Sequence, residues 1–435
     1  MLSREDNELM CRVGPGTLMG KTLRRYWHPL CLSAELPHPD CPPLRLRLLG
    51  EKLVAFRDSA GKVGLLNEYC PHRGVSLALG RVEEGGIRCL YHGWKFTVDG
   101  TLLETPNHAD PRFCERVRAT AFPVIEVGDI VWAYLGPKEL QPPLRRYPFM
   151  AAPSANRSLF RINVHANYVQ MWEGGADSSH VGILHSNVAR PGWMDKSFAA
   201  NTDPMNPAAF PVEDNAPALE AEDTEFGFYY CATRKGARPG ANGEATKNVR
   251  VYPMIMPYTR VIPSPNLDFT VFEVPADDEH TSTFISVHGA KPVDRGAILK
   301  ILGLDNPRYW SEKDCTFRAT WDDRFGQDRE KMRENWTGFT GIEVEDAAMG
   351  MSQGPINDRT LEHLVPADRA IVKIRRLLLD SARLVEKGQE PIGVAADLSK
   401  VTAPCDLDIP IAARWQDLVP DYLPPARTPE VVPAQ

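Results

Sequence analysis

The sequence predicts an α+β protein in two parts: a small all-β unit at residues 40–150 and a larger domain of mixed strands and helices at 151–435. A short helical segment at 1–39 precedes both. Three observations predict this. From about Leu44 the apolar residues recur at a period of two, the mark of half-buried strands. The Pro-rich stretch "GPKELQPPLRRYPFMAAP" then breaks the pattern and reads as an exit linker. Beyond it, β-branched and aromatic runs are interspersed with stretches of helical period. With 435 residues, 43% of them hydrophobic, the chain can bury more than one core.

In chain order, "DNELMCRVGPGTLMGKTLRRYWHPLCL" reads as two short helices about a Gly-Pro-Gly break. "LRLRLLGEKLVAFRD" and "KVGLLNEYC" alternate apolar and polar residues around the turn signals "LGEK" and "DSAGK". Trp94, Phe96 and Val98 alternate into Asp99-Gly100, a two-residue hairpin signal, and "DIVWAYLGP" closes the unit. In the larger domain "FGFYYCATR", "VRVYPMIM" and "TSTFISVHGA" read as strands, and "CTFRATWDDRFGQDREKMREN" and "DRAIVKIRRLLLDSARLVEKG" as helices. The Pro-rich tail after Asp406 reads as irregular, and no internal repeat stands out.

Composition excludes some classes. A net charge of −7 without a basic stripe argues against nucleic acid or an anionic membrane as partner. The start "MLSREDNELM" lacks the apolar stretch of a signal peptide, and no run of about 18 apolar residues follows. The expected location is therefore the cytoplasm. Nine cysteines are scattered along the chain, and only Cys70 and Cys89 have close His neighbours, which suits reduced thiols and a metal site better than disulfides.

That site lies in "CPHRGVSLALGRVEEGGIRCLYHGW", where Cys70-x-His72 is followed by Cys89-x-x-His92. A tetrahedral zinc site uses the same atoms, but zinc fingers place both cysteines before both histidines. Here each loop carries one of each, which suits a two-iron cluster with both thiolates on one iron and both imidazoles on the other. Pro71 fixes a dihedral in the first loop, and Gly74 and Gly93 let backbone amides approach the sulfurs. The pair "CPHRG" and "CLYHGW" resembles the Rieske [2Fe–2S] motif, with Cys70, His72, Cys89 and His92 as its ligands.

A second constellation follows in "NYVQMWEGGADSSHVGILH", where Asp177, His180 and His185 are spaced three and five apart. Two neutral imidazoles and a carboxylate are the ligand set of non-haem Fe(II) oxygenases. On a straight helix the two histidines would lie about 140° apart, so a wide turn or a helix end must bring them together, with Gly182 the weak point. Asp177 is close enough to His180 to accept a hydrogen bond from the ring of a metal-bound imidazole.

Together the two motifs resemble the catalytic α subunits of Rieske non-haem iron aromatic-ring-hydroxylating oxygenases. "RVGPGTLMGKTLRRYWHP", "EGGADSSHVGILH" and "MGMSQGPINDRTLEHL" are similar to the phthalate dioxygenase type. The resemblance implies a Rieske domain joined to an antiparallel-sheet catalytic domain of helix-grip form, with the N-terminal segment packed on the latter. It implies a mononuclear Fe(II) held by His180, His185 and a distant carboxylate. Glu343, Glu345, Asp346 and Asp358 are candidates by residue type; the resemblance favours Asp346, with Glu345 as the alternative.

By the same resemblance, electrons pass from NADH through a flavin/iron–sulfur reductase to the [2Fe–2S] cluster. They then cross between subunits, from His92 of the partner subunit through Asp177 to His180. Such head-to-tail contacts close into a ring, expected here as a trimer or stacked hexamer. The expected activity is O2-dependent hydroxylation of an aromatic carboxylate such as phthalate, chlorobenzoate or a related benzoate, by cis-dihydroxylation. Single hydroxylation or O- or N-dealkylation is the second reading. An electron carrier without oxygenase chemistry and a zinc-stabilised binding module are the remaining alternatives.

A buried carboxylate needs a cationic partner, and arginine gives bidentate geometry. Among Arg190, Arg234, Lys235, Arg238, Arg250 and Arg260, the strand position of Arg250 in "NVRVYPMIMP" makes it the first choice. Asn167 and Trp172, beside the histidine segment, are candidate pocket residues.

Overall fold

The computed structural model describes residues 2–186, 216–236, 239–240, 242–264, 266–405 and 407–423. Helices α1 (Arg4–Cys11) and α2 (Leu18–Leu23) open the chain, each capped by a hydroxyl, Ser3 for the Asp6 amide and Thr17 for the Gly20 amide. Strand β1 (Trp27–Leu32) follows, in a stretch where the sequence reading expected helix only. Its buried Trp, Leu and Cys side chains pair it with β10, which gives that region its structure through a long-range ladder that local periodicity does not show.

The small β unit is built from antiparallel hairpins. β2 (Leu44–Leu48), β3 (Glu51–Arg57) and β4 (Val63–Asn67) form one sheet. β5 (Arg81–Glu83), β6 (Gly86–Arg88), β7 (Lys95–Phe96) and β8 (Leu102–Glu104) form a second. β9 (Val124–Val127) and β10 (Ile130–Tyr134) complete a third sheet with β1. Phe56, Leu66, Leu77, Ile87, Trp94 and Phe96 fill the core beneath Cys70 and Cys89.

The larger domain is an antiparallel sheet of β11 (Arg157–Val164), β12 (Ala218–Thr224), β13 (Gly227–Lys235), β14 (Thr246–Ile255), β15 (Thr259–Ile262), β16 (Asp268–Pro275) and β17 (Thr281–His288). The order is β11-β17-β16-β15-β14-β13-β12. β18 (Leu407–Pro410) pairs with β14, so the tail after Asp406 is not wholly irregular; four backbone partners order it despite its prolines. Helices α3 (Tyr168–Ala176), α4 (Arg295–Leu302), α5 (Ile342–Ser352) and α6 (Arg369–Glu386) pack with this sheet. No helix among the described residues is long and apolar enough to cross a membrane.

Residues 315–335 are not the helix that their period suggests. They form short turns at Trp321–Gly326 and Lys331–Arg333, with Arg324 and Phe325 both at φ 54°. Side-chain carboxylates take the amides a helix would need: Asp323 accepts from the Thr320 amide at 2.9 Å and Asp328 from the Glu330 amide at 3.0 Å. Asp and Thr compete with helix in this way.

The N-terminal helices pack against α6, and a buried ionic network ties α1, α3 and α6 together. Arg359 donates to both oxygens of Glu173 at 2.9 and 3.1 Å and to Asn7 of α1 at 3.0 Å. Arg375 of α6 reaches the same Glu173 at 2.6 Å and Glu362 at 2.6 and 3.0 Å. Removing one member strands a buried charge. Arg359→Met is therefore expected to destabilise the fold by about 3–5 kcal/mol, read from the urea midpoint; a loss under about 1 kcal/mol would mean that apolar packing alone holds α1 in place.

Candidate metal centres

The two Cys/His loops follow β4 and β6 and share one hydrogen-bond pattern. The Cys70 amide donates to Val75 O at 2.9 Å and the Gly74 amide to Cys70 O at 2.9 Å. The Cys89 amide donates to Trp94 O at 2.8 Å and the Gly93 amide to Cys89 O at 3.0 Å. Gly74 and Gly93 close these turns at φ 71° and 75°, a conformation that favours glycine. Both thiols are buried, whereas His72 and His92 face each other at the tip with ring centroids 4.5 Å apart. Trp94 stacks on His72 at 4.5 Å and fixes its plane.

Burial pushes the Cys70 thiol up to about 11, and Cys89 beside it adds to the effect. Burial and the facing His92 hold His72 below its ordinary value. Nδ1 of His92 is buried with no hydrogen-bond partner among the described residues. The four donors do not converge on one point: among the described residues, the only group of three or more ligand atoms within 4.8 Å of one another lies elsewhere. An inner thiol pair and an outer imidazole pair fit a two-iron cluster, and a single tetrahedral ion does not.

The convergent group is His180, His185 and Asp346. α3 ends at Ala176, Asp177 leaves the helix at ψ 105°, and a short turn over His180–Gly182 swings the second histidine back. His180 Nε2 and His185 Nε2 come within 3.2 Å. Asp346 Oδ1 lies 3.2 Å from His185 Nε2 and 3.9 Å from His180 Nε2. The chain breaks the helix before the histidines, so the expected 140° separation never arises.

α5 carries three carboxylates near this point. Asp346 faces both imidazoles; in spite of burial, His185 holds it below the usual carboxylate value. Glu345, one residue earlier, accepts Nδ1–H of His185 at 2.7 Å. Burial would keep His185 neutral, but Asp346 and Glu345 overcome it and raise the metal-free ring to about 10. Glu343 turns toward the cavity, where burial and the nearby Asp346 and Glu273 push it up to about 8. Asp358 is absent from the site; it is an exposed cap for the Thr360 amide at 3.1 Å.

Asp177 sits at the outer side of His180. Its Oδ1 accepts from the Ser179 amide and hydroxyl at 2.7 Å each and from the His180 amide at 3.3 Å. Its Oδ2 lies 3.6 Å from His180 Nδ1, and despite burial these donors hold the carboxyl well below its ordinary value. The side chain keeps about a quarter of its surface exposed, 24%.

A cavity opens from the metal point onto one face of the sheet. Alternate residues of adjacent strands supply its wall: Arg250 and Tyr252, then Ile262, then Phe269 and Val271, then Ile285. Arg250 is buried and donates to Pro263 O at 2.9 Å. Arg260 also lines the cavity, but its charge is matched by Glu273 at 2.5 Å, and Thr283 donates to the same carboxylate at 2.6 Å. Its side chain crosses α3 where a Cβ on Gly175 would stand 2.1 Å from it, so a side chain there would have to displace Arg260. Arg234 is turned to Ser178 O at 2.9 Å, Lys235 is exposed, and Arg190 and Arg238 lie outside the described residues.

Two of the sequence-predicted pocket residues have other tasks. Asn167 caps α3, accepting from the Val169 amide at 3.0 Å and donating to Cys11 O and Asp278 O at 3.0 and 2.7 Å. Trp172 is fully buried in the main core. Both point away from the cavity because α3 presents its opposite face there, through Gly174 and Gly175. The cavity's apolar wall was missed; its signal was the alternation of "DFTVFEV" and "TSTFISV", which lines a face without naming what the face encloses.

Two family models match the chain, "Rieske [2Fe-2S] domain" at residues 26–123 and "LigXa C-terminal domain like" at 133–409. The phthalate 4,5-dioxygenase oxygenase subunit of Pseudomonas putida is 38% identical, over 90% of this chain and 89% of that protein. The 3-chlorobenzoate-3,4-dioxygenase oxygenase subunit of Comamonas testosteroni is 34% identical, over 91% and 92%. The 5,5'-dehydrodivanillate O-demethylase oxygenase subunit of Sphingobium is 30% identical, over 91% and 84%. Among solved structures, the terminal oxygenase of carbazole 1,9a-dioxygenase from Nocardioides aromaticivorans shares the fold, with TM-score 0.55, 19% identity, and 87% and 97% of the two chains covered.

A divalent cation at Nε2 of His185 must displace the proton that the metal-free ring carries up to about 10. Cation binding at pH 7 should thus release about one proton, and affinity should rise about tenfold per pH unit below that value. Titration calorimetry in two buffers of different ionisation enthalpy reads the proton directly; binding without release would contradict the charge state assigned to this ring.

Proposed function

The chain belongs to the Rieske non-haem iron oxygenases, as a catalytic subunit of the phthalate dioxygenase type, and from that premise we propose that it is the terminal oxygenase for an aromatic carboxylate. The observation that carries this reading is the meeting of His180, His185 and Asp346 at the end of a largely apolar cavity that also presents a buried arginine. Relatives named for phthalate and chlorobenzoate support the substrate class.

In this reading Cys70, His72, Cys89 and His92 hold the [2Fe–2S] cluster, and His180, His185 and Asp346 hold the mononuclear iron. When bound, the cluster supplies single electrons, drawn from NADH through a reductase, and the iron supplies oxygen activation. The remaining work belongs to this chain. Ile262, Phe269, Val271 and Ile285 exclude water and accept the ring. Arg250 anchors the carboxylate, and Tyr252, whose ring lies 5.6 Å below its guanidinium, supports it from the same strand face.

Asp177 keeps one oxygen on its own turn and offers the other beside His180 at a partly exposed position. This suits an acceptor for an imidazole of a neighbouring subunit, and a head-to-tail ring of three, alone or stacked as six, brings His92 of the partner subunit to it. The cytoplasm, where NADH is available, is the corresponding compartment.

A single turnover of chemically reduced protein under 18O2, with phthalates, halobenzoates and phenoxybenzoates, tests the activity. Two labelled atoms in one product are expected for cis-dihydroxylation. One labelled atom would assign hydroxylation or dealkylation, as the O-demethylase relative is named for; no product from any acid would reject the aromatic-acid reading. Arg250→Ala should weaken acids by about tenfold to a hundredfold, the worth of a charged hydrogen bond, and barely affect neutral analogues. An equal effect on both would remove Arg250 as the anchor.

A further inference from the structure

The two imidazoles of the iron site are unequal. His180 has Asp177 Oδ2 at 3.6 Å from Nδ1, too far for a hydrogen bond, and its side chain is partly exposed. His185 is buried and places Nδ1 2.7 Å from Glu345 Oε2, within the short range of charge-assisted bonds. For Nε2 to serve as a ligand, Nδ1 must carry the proton, and Glu345 fixes that tautomer.

Glu345 is itself held from outside α5. Its Oε1 accepts the Thr337 hydroxyl at 2.6 Å, and the Thr337 carbonyl accepts from Gln327 Nε2 at 2.8 Å. The loop that fails to become a helix at 315–335 runs directly into this support. A carboxylate 1% exposed is costly to bury unless its charge is used. Beyond the ring that it faces, the charge would be used by a cation.

We propose that Glu345 is a positioning residue for the mononuclear iron. Through His185 it orients one ligand, makes that ligand the more electron-rich of the two, and favours the ferric over the ferrous state. Thr337 is its aiming device. The inference rests on the reading of His180, His185 and Asp346 as iron ligands.

Glu345→Gln keeps shape and an acceptor oxygen while removing the charge. Its iron dissociation constant is expected to rise tenfold to a hundredfold, as for other groups that orient a metal-bound imidazole. The midpoint potential of the mononuclear iron, followed by the EPR signal of its ferric form, should rise, because losing a negative charge disfavours the higher oxidation state. The absorbance of the [2Fe–2S] cluster should stay unchanged. Thr337→Val should move both quantities the same way by less, and it carries the test if Glu345→Gln does not fold.

Iron affinity within twofold of the parent and an unmoved potential in either folded variant would overturn the role. Asp346→Asn serves as the control. If it keeps iron while Glu345→Gln loses it, Glu345 is a ligand itself and the positioning role is overturned; if Asp346→Asn, His180→Ala and Glu345→Gln all keep iron, the ligand reading has failed instead.

Discussion

Histidines five residues apart cannot point at one atom from a straight helix, and much of the catalytic domain serves to end α3 in the right place. The helix begins at the Asn167 cap, which is tied to the N-terminal segment at Cys11 and to the β16–β17 turn at Asp278. Along its length Gln170 bonds to Gly350 in α5 and to Gly354 just beyond it, and Glu173 enters the network of Arg359 and Arg375. At its end Gly175 admits Arg260, and Asp177 takes the first amides of the next turn. The position of His180 is thus set by residues from several distant parts of the chain, which explains why a short motif needs a long chain.

The same economy governs charge. α5 carries Glu343, Glu345 and Asp346 within four residues, and their mutual repulsion is eased by nearby cations and by the upward shift of Glu343 to about 8. Arg260 answers Glu273, His185 answers Asp346 and Glu345, and the point between the imidazoles is left for a metal. In the small domain the arrangement is inverted: the two thiols lie inside, where burial raises that of Cys70, and the imidazoles lie outside. The first site gathers its donors at the end of the cavity, and the second sets its imidazoles toward the surface.

Legibility followed range. Cys70, His72, Cys89 and His92 were readable because each loop carries its donors within four residues and its turn glycine beside them. His180 and His185 were readable as a pair, and so was the need for a helix end between Asp177 and His185. Asp346 required the family, because Glu345 is equally acidic and the choice depends on which side of His185 each approaches, a matter of 100° on α5. Asn167 and Trp172 lie away from the cavity, because proximity in sequence to a ligand says nothing about which helix face is turned to it. Residues 315–335 carried helical period, but their Asp and Thr side chains took the backbone amides locally. The pairing of Leu407–Pro410 with β14 is a contact more than 150 residues away, beyond any local pattern.

The crossing of Arg260 over Gly175 has a consequence for how such a protein can diversify. The α3 side of the cavity is crowded at one point: a methyl group at position 175 meets the side chain of Arg260, which is itself paired with Glu273. The opposite wall is made of separate side chains on a continuous sheet, and Ile262, Phe269, Val271 and Ile285 can each change volume without moving the backbone that carries the histidines. The strand wall is therefore a place where the cavity can be reshaped by residues separate in sequence from the histidines. A library meant to change what this enzyme accepts belongs on the strands.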